Sequence, residues 1–392
     1  MMNKRSYDWG TEGSAIRELY AYGRSRAAVI GDENVYDFTQ GNPSNPTPPE
    51  VKAAVLELLE QDPLALHGYT HAIGDPAARK AIAEDLNSRF DAGAEADDLF
   101  ITCGAAPALC AVFHALADEK SEILTVAPYF PEYKPYAELT GATFQVVPPD
   151  VPDFQIRLDQ VEAAITEKTA VLLLNSPNNP SGTVYTAETL SALAQLLRKK
   201  EKEYGHPIYI ASDEPYRELV YDGVTVPFLP KIYENTIICY SYSKTLTLPG
   251  ERIGYIYVPK AAQNSRDVYA AICGAARALG HICAPALWQK VIAKCAHLRP
   301  DVANYDRNRT LLCEGLRSAG YEVATPSGAF YLFVKAPGGD ANAFAERAKL
   351  RDLIVVPGDS FGCPGYLRLC YCGSAEKIEK SLPIFRELIT EY

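Results

Sequence analysis

Residues 207–244 read PIYIASDEPYRELVYDGVTVPFLPKIYENTIICYSYSK, and they contain two short apolar segments that each end in chemically useful polar residues. The segment IYIAS is followed by Asp213, and TIICY is followed by a Ser-x-Ser-Lys sequence that ends at Lys244. Strands that are apolar along their whole length indicate a sheet covered on both faces. Ligands of such sheets bind beyond the carboxyl ends of the strands, so Asp213 and Lys244 are predicted to face one cleft.

Similar apolar segments flank this stretch on both sides. They are LFITCG, SEILTVAP, ATFQVVP, TAVLLLNSP and RIGYIYV. Helical segments lie between strand candidates, LSALAQLLRKKEKEYG being one with clear amphipathic spacing. This alternation predicts an α/β fold whose large domain, residues 46–285, holds a mostly parallel sheet between helices. Long helical stretches and the strand-like segments GAFYLFVK and GYLRLCYC then predict a smaller α+β domain built from residues 1–45 and 286–392.

The composition excludes several classes of protein. The 392 residues carry a formal net charge of -11, which disfavours a broad surface for nucleic acid or anionic lipid. We expect neither a secretory signal nor a membrane span, because no apolar stretch follows the first basic residues and no apolar run has the length of a span. Its ten cysteines are scattered, so we expect reduced thiols and a cytoplasmic protein. Cys370 and Cys372 form a Cys-x-Cys sequence, but no second pair at zinc-site spacing accompanies them, and we expect no metal.

Several motifs together resemble one enzyme family. Ser241–Tyr255, SYSKTLTLPGERIGY, resembles the lysine signature of the class I/II aminotransferases, which are fold-type I pyridoxal-phosphate enzymes of the aspartate aminotransferase superfamily. NNPSG at 178–182 and DEPY at 213–216 resemble two further signatures, in the family's order and at about its spacing. Further matches are GYTHAIGDPAARKAIA at 68–83, PYFPEY at 128–133, GAFYLF at 328–333 and LRL at 367–369. The resemblance covers nearly the whole chain and implies an enzyme that moves amino groups between L-amino acids and 2-oxo acids.

The resemblance gives each residue of the ring site a role that its chemistry suits. An aldehyde cofactor needs a primary amine to form an imine, and Lys244 supplies it; the freed amine then carries a proton. Asp213, an acid at the end of a buried strand, is expected to hold the proton on the ring nitrogen. Asn179 and Tyr216 are expected to donate to the ring oxygen. Phe130 is expected to stack on the ring, although the adjacent Tyr129 is an alternative for that place.

Phosphate binding calls for hydrogen-bond donors and positive charge. Six residues are expected to supply them: Gly104, Ala105 and Ala106 at the start of a helix, with Ser241, Ser243 and Arg252. Family members often have a hydroxyl side chain near position 106. Because Ala105 and Ala106 have none, backbone N–H groups must suffice there.

Substrate binding is expected to involve Arg368, which by the resemblance grips the α-carboxylate with help from Asn179. A salt bridge within the protein is the alternative for Arg368. Gly41, in QGNPSNPTP, is expected to bring the backbone close to the substrate. Tyr69 matches a tyrosine that reaches the phosphate of the neighbouring subunit, which implies a homodimer with shared active sites.

Two other functions are compatible with parts of the pattern. A pyridoxal-phosphate C–S β-lyase uses the same fold and the same lysine. A non-catalytic cofactor-binding regulator is a more distant alternative, and the complete lysine and phosphate set disfavours it. The sequence leaves the substrate open, because Arg277 is a candidate for binding a side-chain carboxylate by rough position only. His281 is a second candidate for shaping the pocket, and an aromatic or broad substrate range is equally compatible.

Overall fold

The computed structural model describes residues 2–11 and 13–392, and its strands form one large sheet and two small ones. The strands are β1 (Tyr36–Asp37), β2 (Leu99–Thr102), β3 (Glu122–Val126), β4 (Thr143–Val147), β5 (Thr169–Asn175), β6 (Tyr209–Asp213), β7 (Thr236–Ser241), β8 (Gly254–Tyr257), β9 (Tyr331–Lys335), β10 (Leu353–Ile354), β11 (Val356–Pro357) and β12 (Tyr366–Cys370). The large sheet has the order β2-β8-β7-β6-β5-β3-β4, and β8 runs in the direction opposite to the other six strands. The predicted α/β fold class with a mostly parallel sheet is therefore confirmed.

Helices surround the sheets. They are α1 (Lys4–Thr11), α2 (Ala15–Ile30), α3 (Pro49–Leu59), α4 (Pro63–His67), α5 (Pro76–Phe90), α6 (Ala105–Leu116), α7 (Tyr133–Glu138), α8 (Leu158–Ala164), α9 (Ala187–Tyr204), α10 (Tyr242–Thr245), α11 (Ser265–Ala278), α12 (Ala286–Cys295), α13 (Ala303–Ser318), α14 (Ala341–Lys349) and α15 (Ala375–Ile389). Among the residues that the structure describes, no helix is both long enough and apolar enough to cross a membrane.

Strand β5 explains why the central strands are apolar throughout. Val171 and Leu173 pack into the core beneath α6 and α11, whereas Leu172 and Leu174 pack into the core beneath α8 and α9. Successive side chains of a strand point to opposite faces, so a sheet with helices on both sides needs an apolar residue at every position. Helix α9 has sharp ends because Thr186 caps its first turn and Gly205, at φ 79°, ends it.

The C-terminal part forms the antiparallel sheet β11-β12-β9, and helices α13, α14 and α15 pack around it. Strand β1 pairs in parallel with β10, so the N-terminal segment contacts this part through a short two-stranded sheet. Helix α1 differs, because Arg5 in it donates to the Glu138 carbonyl of α7. Helix α12 also packs on α3 and α5 beside the large sheet, through Val291 and Ile292. The domain boundaries at 45 and 285 stay a prediction.

Candidate active site

A cavity of about 290 Å³ lies at the carboxyl ends of β5, β6 and β7. The register of the strands explains its position, because Asn175 pairs with Asp213 and Asp213 pairs with Cys239 at the ends of adjacent parallel strands. Most residues predicted for the site line this cavity: Gly41, Ala105, Ala106, Phe130, Asn179, Asp213, Tyr216, Ser241, Ser243, Lys244, Arg252 and Arg368. The fold thus brings together side chains from widely separated parts of the sequence.

Lys244 lies in the short helix α10, directly after β7. Its Nζ donates to the Gly41 carbonyl oxygen at 2.6 Å and lies 5.5 Å from the centre of the Phe330 ring. Burial lowers the pKa of the Lys244 amine to about 8, because the charged form loses its hydration. At pH 7 about a tenth of the amine is then neutral, far more than for an ordinary lysine, and the neutral form is the one that attacks an aldehyde.

Asp213 is buried and has one oxygen engaged and one free. Oδ2 accepts a hydrogen bond of 2.5 Å from the Tyr133 hydroxyl, while Oδ1 has no partner among the described residues. Burial raises the pKa of Asp213 to about 7; the Tyr133 hydrogen bond opposes this rise, and the charge of Glu214 adds to it. An unpartnered buried carboxylate oxygen in a cavity wall is costly, and a ligand that carries a proton at this point would relieve the cost.

Asn175 connects Asp213 to the substrate side of the cavity. Its side-chain Nδ2 donates to the Asp213 carbonyl oxygen at 2.9 Å, and its Oδ1 accepts from the Asn179 backbone N–H at 2.7 Å. Asn179 in turn accepts a 3.2 Å hydrogen bond from Nη1 of Arg368. Both asparagines are buried, so these bonds satisfy polar groups that have no access to water.

Arg368 is 2% exposed in strand β12. Nη2 donates to the Thr39 carbonyl oxygen, Nε has no partner, and the guanidinium lies 4.9 Å from the centre of the Tyr331 ring. Within the described chain, no carboxylate lies within salt-bridge distance of Arg368. The alternative of a salt bridge within this chain therefore finds no support, and the buried positive charge faces the cavity without a counterion.

Tyr216 and Gly41 both lie against the side chain of Tyr331. The hydroxyl groups of Tyr216 and Tyr331 lie 2.9 Å apart. A Cβ atom on Gly41 would lie 2.0 Å from the Tyr331 hydroxyl oxygen, so only glycine fits at position 41. The backbone of residue 41 therefore approaches the cavity more closely than any other residue type would allow.

The other end of the cavity gathers hydroxyl groups and a guanidinium. The hydroxyls of Ser241 and Ser243 lie 2.8 Å apart, and Nη1 of Arg252 donates to Ser243 at 3.2 Å. Gly104 has a φ of 94°, and a Cβ there would lie 2.6 Å from Nη2 of Arg252. Helix α6 begins at Ala105, so its first backbone N–H groups have no partner within the helix and favour an anion at this end.

Several other residues singled out from the sequence do not line the cavity: Tyr69, Tyr129, Arg277, His281, and Gly104, which adjoins the lining residue Ala105. Tyr69 is 90% exposed. Phe130 lines the cavity, whereas Tyr129 packs edge-on against Phe144 at a centroid distance of 5.4 Å. Arg277 is exposed on α11, and His281 lies beside the Ala72 carbonyl oxygen at 3.3 Å.

No cluster that could hold a metal ion occurs among residues 2–11 and 13–392. Among the cavity residues without a role assigned from the sequence, three form hydrogen bonds with predicted residues: Tyr133, Asn175 and Tyr331. All three lie within or beside the quoted motifs, but their partners come from other elements. A polar residue at the carboxyl end of a predicted strand was a usable signal for Asn175. No comparable signal pointed to the two tyrosines.

Comparisons with known proteins agree with this geometry. The family model described as "Aminotransferase class I and II" matches residues 33–383. An amino transferase from Eubacterium rectale, of known crystal structure, is 51% identical and superposes with a TM-score of 0.98, covering 100% of this chain and 99% of its own. An aspartate aminotransferase of Thermotoga maritima is 29% identical over 92% of both chains. An aromatic-amino-acid aminotransferase of Thermococcus litoralis is 30% identical over 96% of both chains.

Proposed function

The chain belongs to the class I and II aminotransferases, and for this pyridoxal-phosphate-dependent transaminase we propose that Lys244 is the residue that binds the cofactor covalently. The enzyme moves an amino group between an amino acid and a 2-oxo acid. The C–S β-lyase alternative is not favoured, because the relatives are named as aminotransferases. The observation that carries the proposal is a buried lysine with a lowered pKa that shares its cavity with a buried, half-partnered aspartate.

The donor set of the cavity fits pyridoxal phosphate. The free Oδ1 of Asp213 suits a protonated ring nitrogen. Ser241, Ser243, Arg252 and the backbone of residues 104–106 suit the phosphate. We propose that Asn179 and Tyr216 hold the ring oxygen and that Phe130 packs against the ring face, since all three line the cavity.

Bound pyridoxal phosphate supplies an aldehyde that takes up the amino group and a conjugated ring that withdraws electrons from the substrate. The protein supplies the proton transfers. We propose that Nζ of Lys244 accepts the proton from the α-carbon of the substrate and later returns one. A pKa of about 8 suits both directions, because Nζ gains and loses a proton readily near neutral pH. A protonated ring nitrogen beside Oδ1 would favour the ionised form of Asp213, and the carboxylate would in turn stabilise the proton on the ring.

Arg368 is proposed to bind the α-carboxylate of every substrate. Its guanidinium is buried, has no counterion in the described chain and leaves Nε without a partner. A planar guanidinium binds a carboxylate with two parallel hydrogen bonds, which fixes the orientation of the substrate as well as its position. Gly41 is proposed to leave room for the substrate beside Arg368.

We further propose that the favoured amino donors carry aromatic or other uncharged side chains. Of the residues described, only Arg252 and Arg368 bring a guanidinium into the cavity, and both are assigned above to other groups. The wall otherwise includes Ile16, Tyr136 and Tyr331. A side-chain carboxylate would need a further cation, whereas an aromatic ring packs well against these side chains.

The active unit is proposed to be a homodimer in the cytoplasm. Tyr69 and Leu64 are 90% and 84% exposed, and neither contributes to the cavity of its own chain. We propose that Tyr69 reaches the phosphate of a second copy. The ten cysteines are all free, which is consistent with a reducing compartment.

The lysine assignment is tested by borohydride reduction of the protein loaded with pyridoxal phosphate, followed by digestion and mass spectrometry. The expected result is one stable cofactor adduct on the peptide that contains Lys244. A predominant adduct on another lysine would refute the assignment. The Lys231 peptide is the control, because Lys231 is exposed and lies outside the cavity.

The donor preference is tested by spectra of the half-reaction with phenylalanine, tyrosine, leucine and aspartate. Each donor is titrated against the same loaded enzyme, and the rate constant divided by the apparent dissociation constant is compared. The aromatic donors are expected to give the highest values. A value for aspartate that is tenfold above that for phenylalanine would contradict the proposal and would indicate a further cation supplied by the partner.

A further inference from the structure

Residues 39–42, here called the glycine loop, direct backbone carbonyl groups toward the cleft. The Thr39 carbonyl accepts from Arg368, and the Gly41 carbonyl accepts from Nζ of Lys244 at 2.6 Å. The Asn42 carbonyl accepts from the thiol of Cys372 at 2.9 Å. The loop is thus attached to three side chains, of which two belong to the proposed reaction and one does not.

Cys372 lies just after β12 and is 3% exposed. Besides the bond to Asn42, its sulfur lies 3.8 Å from the Gln40 carbonyl oxygen and 3.2 Å from the sulfur of Cys370. The hydrogen bond with Cys370, together with burial, raises the pKa of Cys372 above its ordinary value. The thiol therefore keeps the hydrogen that it donates to the loop at neutral pH.

The three attachments have different fates during turnover. Lys244 must give its Nζ to the cofactor and the substrate proton, and this task competes with the Gly41 carbonyl for the same donor. Arg368 can bind the substrate carboxylate through its free Nε and still donate to Thr39. Cys372 has no task in the reaction, and Cys370 donates to its sulfur, so the thiol hydrogen remains for Asn42 while substrate is bound.

We infer that Cys372 is a positioning residue that holds the glycine loop in place while Arg368 and Lys244 act on the substrate. This inference rests on the proposed roles of those two residues. The position of the loop matters because Gly41 is packed so tightly against the Tyr331 hydroxyl that a Cβ would not fit. A small shift of the loop toward Tyr331 would reduce the space left for the substrate. A small shift away from Tyr331 would remove the contact between the loop and the substrate.

Three variants separate positioning from packing. Cys372→Ala removes the donor, and Cys372→Ser keeps a donor of similar size. Cys295→Ala removes a buried thiol of α12, far along the chain from the loop, and serves as the packing control. Cys372→Ala is expected to raise KM for both amino acid and oxo acid about two- to tenfold, with a smaller change in kcat. Cys372→Ser should return KM to within about twofold of the original protein.

Hydrogen exchange of the cofactor-free protein gives a second measurement that does not depend on turnover. Amides of residues 39–42 are expected to exchange faster in Cys372→Ala than in the original protein, while Cys295→Ala leaves them unchanged. The inference is overturned if Cys372→Ala leaves both KM and the exchange of these amides unaltered. It is also overturned if Cys295→Ala produces the same changes, since packing alone would then account for them.

Failure of this inference is distinguishable from failure of the proposed function. The borohydride experiment reports on Lys244 in the original protein and does not involve Cys372. A correct adduct on Lys244 together with an unaltered Cys372→Ala variant would remove only the role of Cys372. An adduct elsewhere would remove the assigned role of Lys244, while the exchange measurement would still report whether Cys372 holds the loop.

Discussion

The carboxyl edge of the large sheet and the exposed segment of residues 64–69 differ in how much of their function one chain can supply. At the sheet edge, Asp213, Asn175 and Lys244 are buried or half-buried and are held by hydrogen bonds within the same chain. In the exposed segment, Leu64 and Tyr69 are almost fully accessible. The edge is therefore held together within one chain, whereas the segment is proposed to gain a role when a second copy covers it.

Substitutions at the sheet edge and in the exposed segment are expected to differ in the size of their effects. Residues of the sheet edge are proposed to act on the reacting atoms, so their loss is expected to reduce turnover strongly. Residues of the exposed segment are proposed to act on the affinity for cofactor through a second chain, so their loss is expected to have a small effect that depends on dimerisation. The following substitutions test this order, beginning with the largest expected effect.

Lys244→Ala is expected to reduce kcat by at least about a thousandfold, because it removes both the covalent attachment and the proton carrier. Steady-state assays with saturating pyridoxal phosphate measure the loss, and thermal unfolding checks that the variant is folded. Turnover within tenfold of the original protein would show that Lys244 is dispensable and would contradict its proposed role.

Asp213→Asn is expected to reduce kcat by about a hundredfold or more, since an amide does not stabilise a protonated ring nitrogen as a carboxylate does. The matched control is Glu214→Gln, which alters the adjacent buried acid that pairs with Arg217. Glu214→Gln is expected to lower stability but to leave the kcat of the folded fraction within a few-fold. Equal losses of kcat in both variants would assign the effect to general disruption of the strand end.

Asp213→Asn is expected to reduce turnover but to stabilise the cofactor-free protein. Burial raises the pKa of Asp213 to about 7 from an ordinary value near 4, so the folded state favours the protonated form. The resulting penalty is absent at pH values below about 4, grows between pH 4 and 7, and is constant above that range. Asp213→Asn should therefore stabilise the cofactor-free protein at pH 8, by on the order of a few kcal/mol, and have little effect near pH 4. Denaturant unfolding at the two pH values measures this, and a stabilisation equal at both would exclude the ionisation of Asp213 as its cause.

Much of the edge was predictable from the sequence, because one rule governs it. The carboxyl ends of adjacent parallel strands meet at one place, so Asp213 and Lys244 could be assigned to one cleft from their positions after apolar segments. The pairs Tyr133 with Asp213 and Tyr216 with Tyr331 could not be found this way. Each depends on how a loop or helix end folds back over the sheet, which is decided by packing between distant elements.

Arg368→Ala is expected to weaken the binding of every amino acid and oxo acid about ten- to hundredfold, because each substrate carries the carboxylate that this guanidinium is proposed to bind. Titration of the half-reaction measures the apparent dissociation constants for a panel of donors. Arg368→Lys is the control that keeps the charge but loses the planar pair of donors. Its apparent dissociation constants should lie between those of the original protein and those of Arg368→Ala. A loss restricted to acidic donors would instead place Arg368 at the substrate side chain.

Tyr69→Phe is expected to have the smallest effect, a two- to tenfold increase in the dissociation constant for pyridoxal phosphate, because it removes one hydroxyl hydrogen bond. Equilibrium binding measures the constant, and sedimentation establishes whether the protein is a dimer at the same concentration. In a single chain Tyr69 contacts the cavity nowhere, so a role in cofactor binding requires a second copy. If the original protein sediments as a monomer, and Tyr69→Phe has the same dissociation constant for the cofactor, the exposed segment has no part in the site. If the substitution weakens cofactor binding only at concentrations where the dimer is populated, the segment acts across the interface between two chains. The sheet edge, in contrast, is organised by one chain.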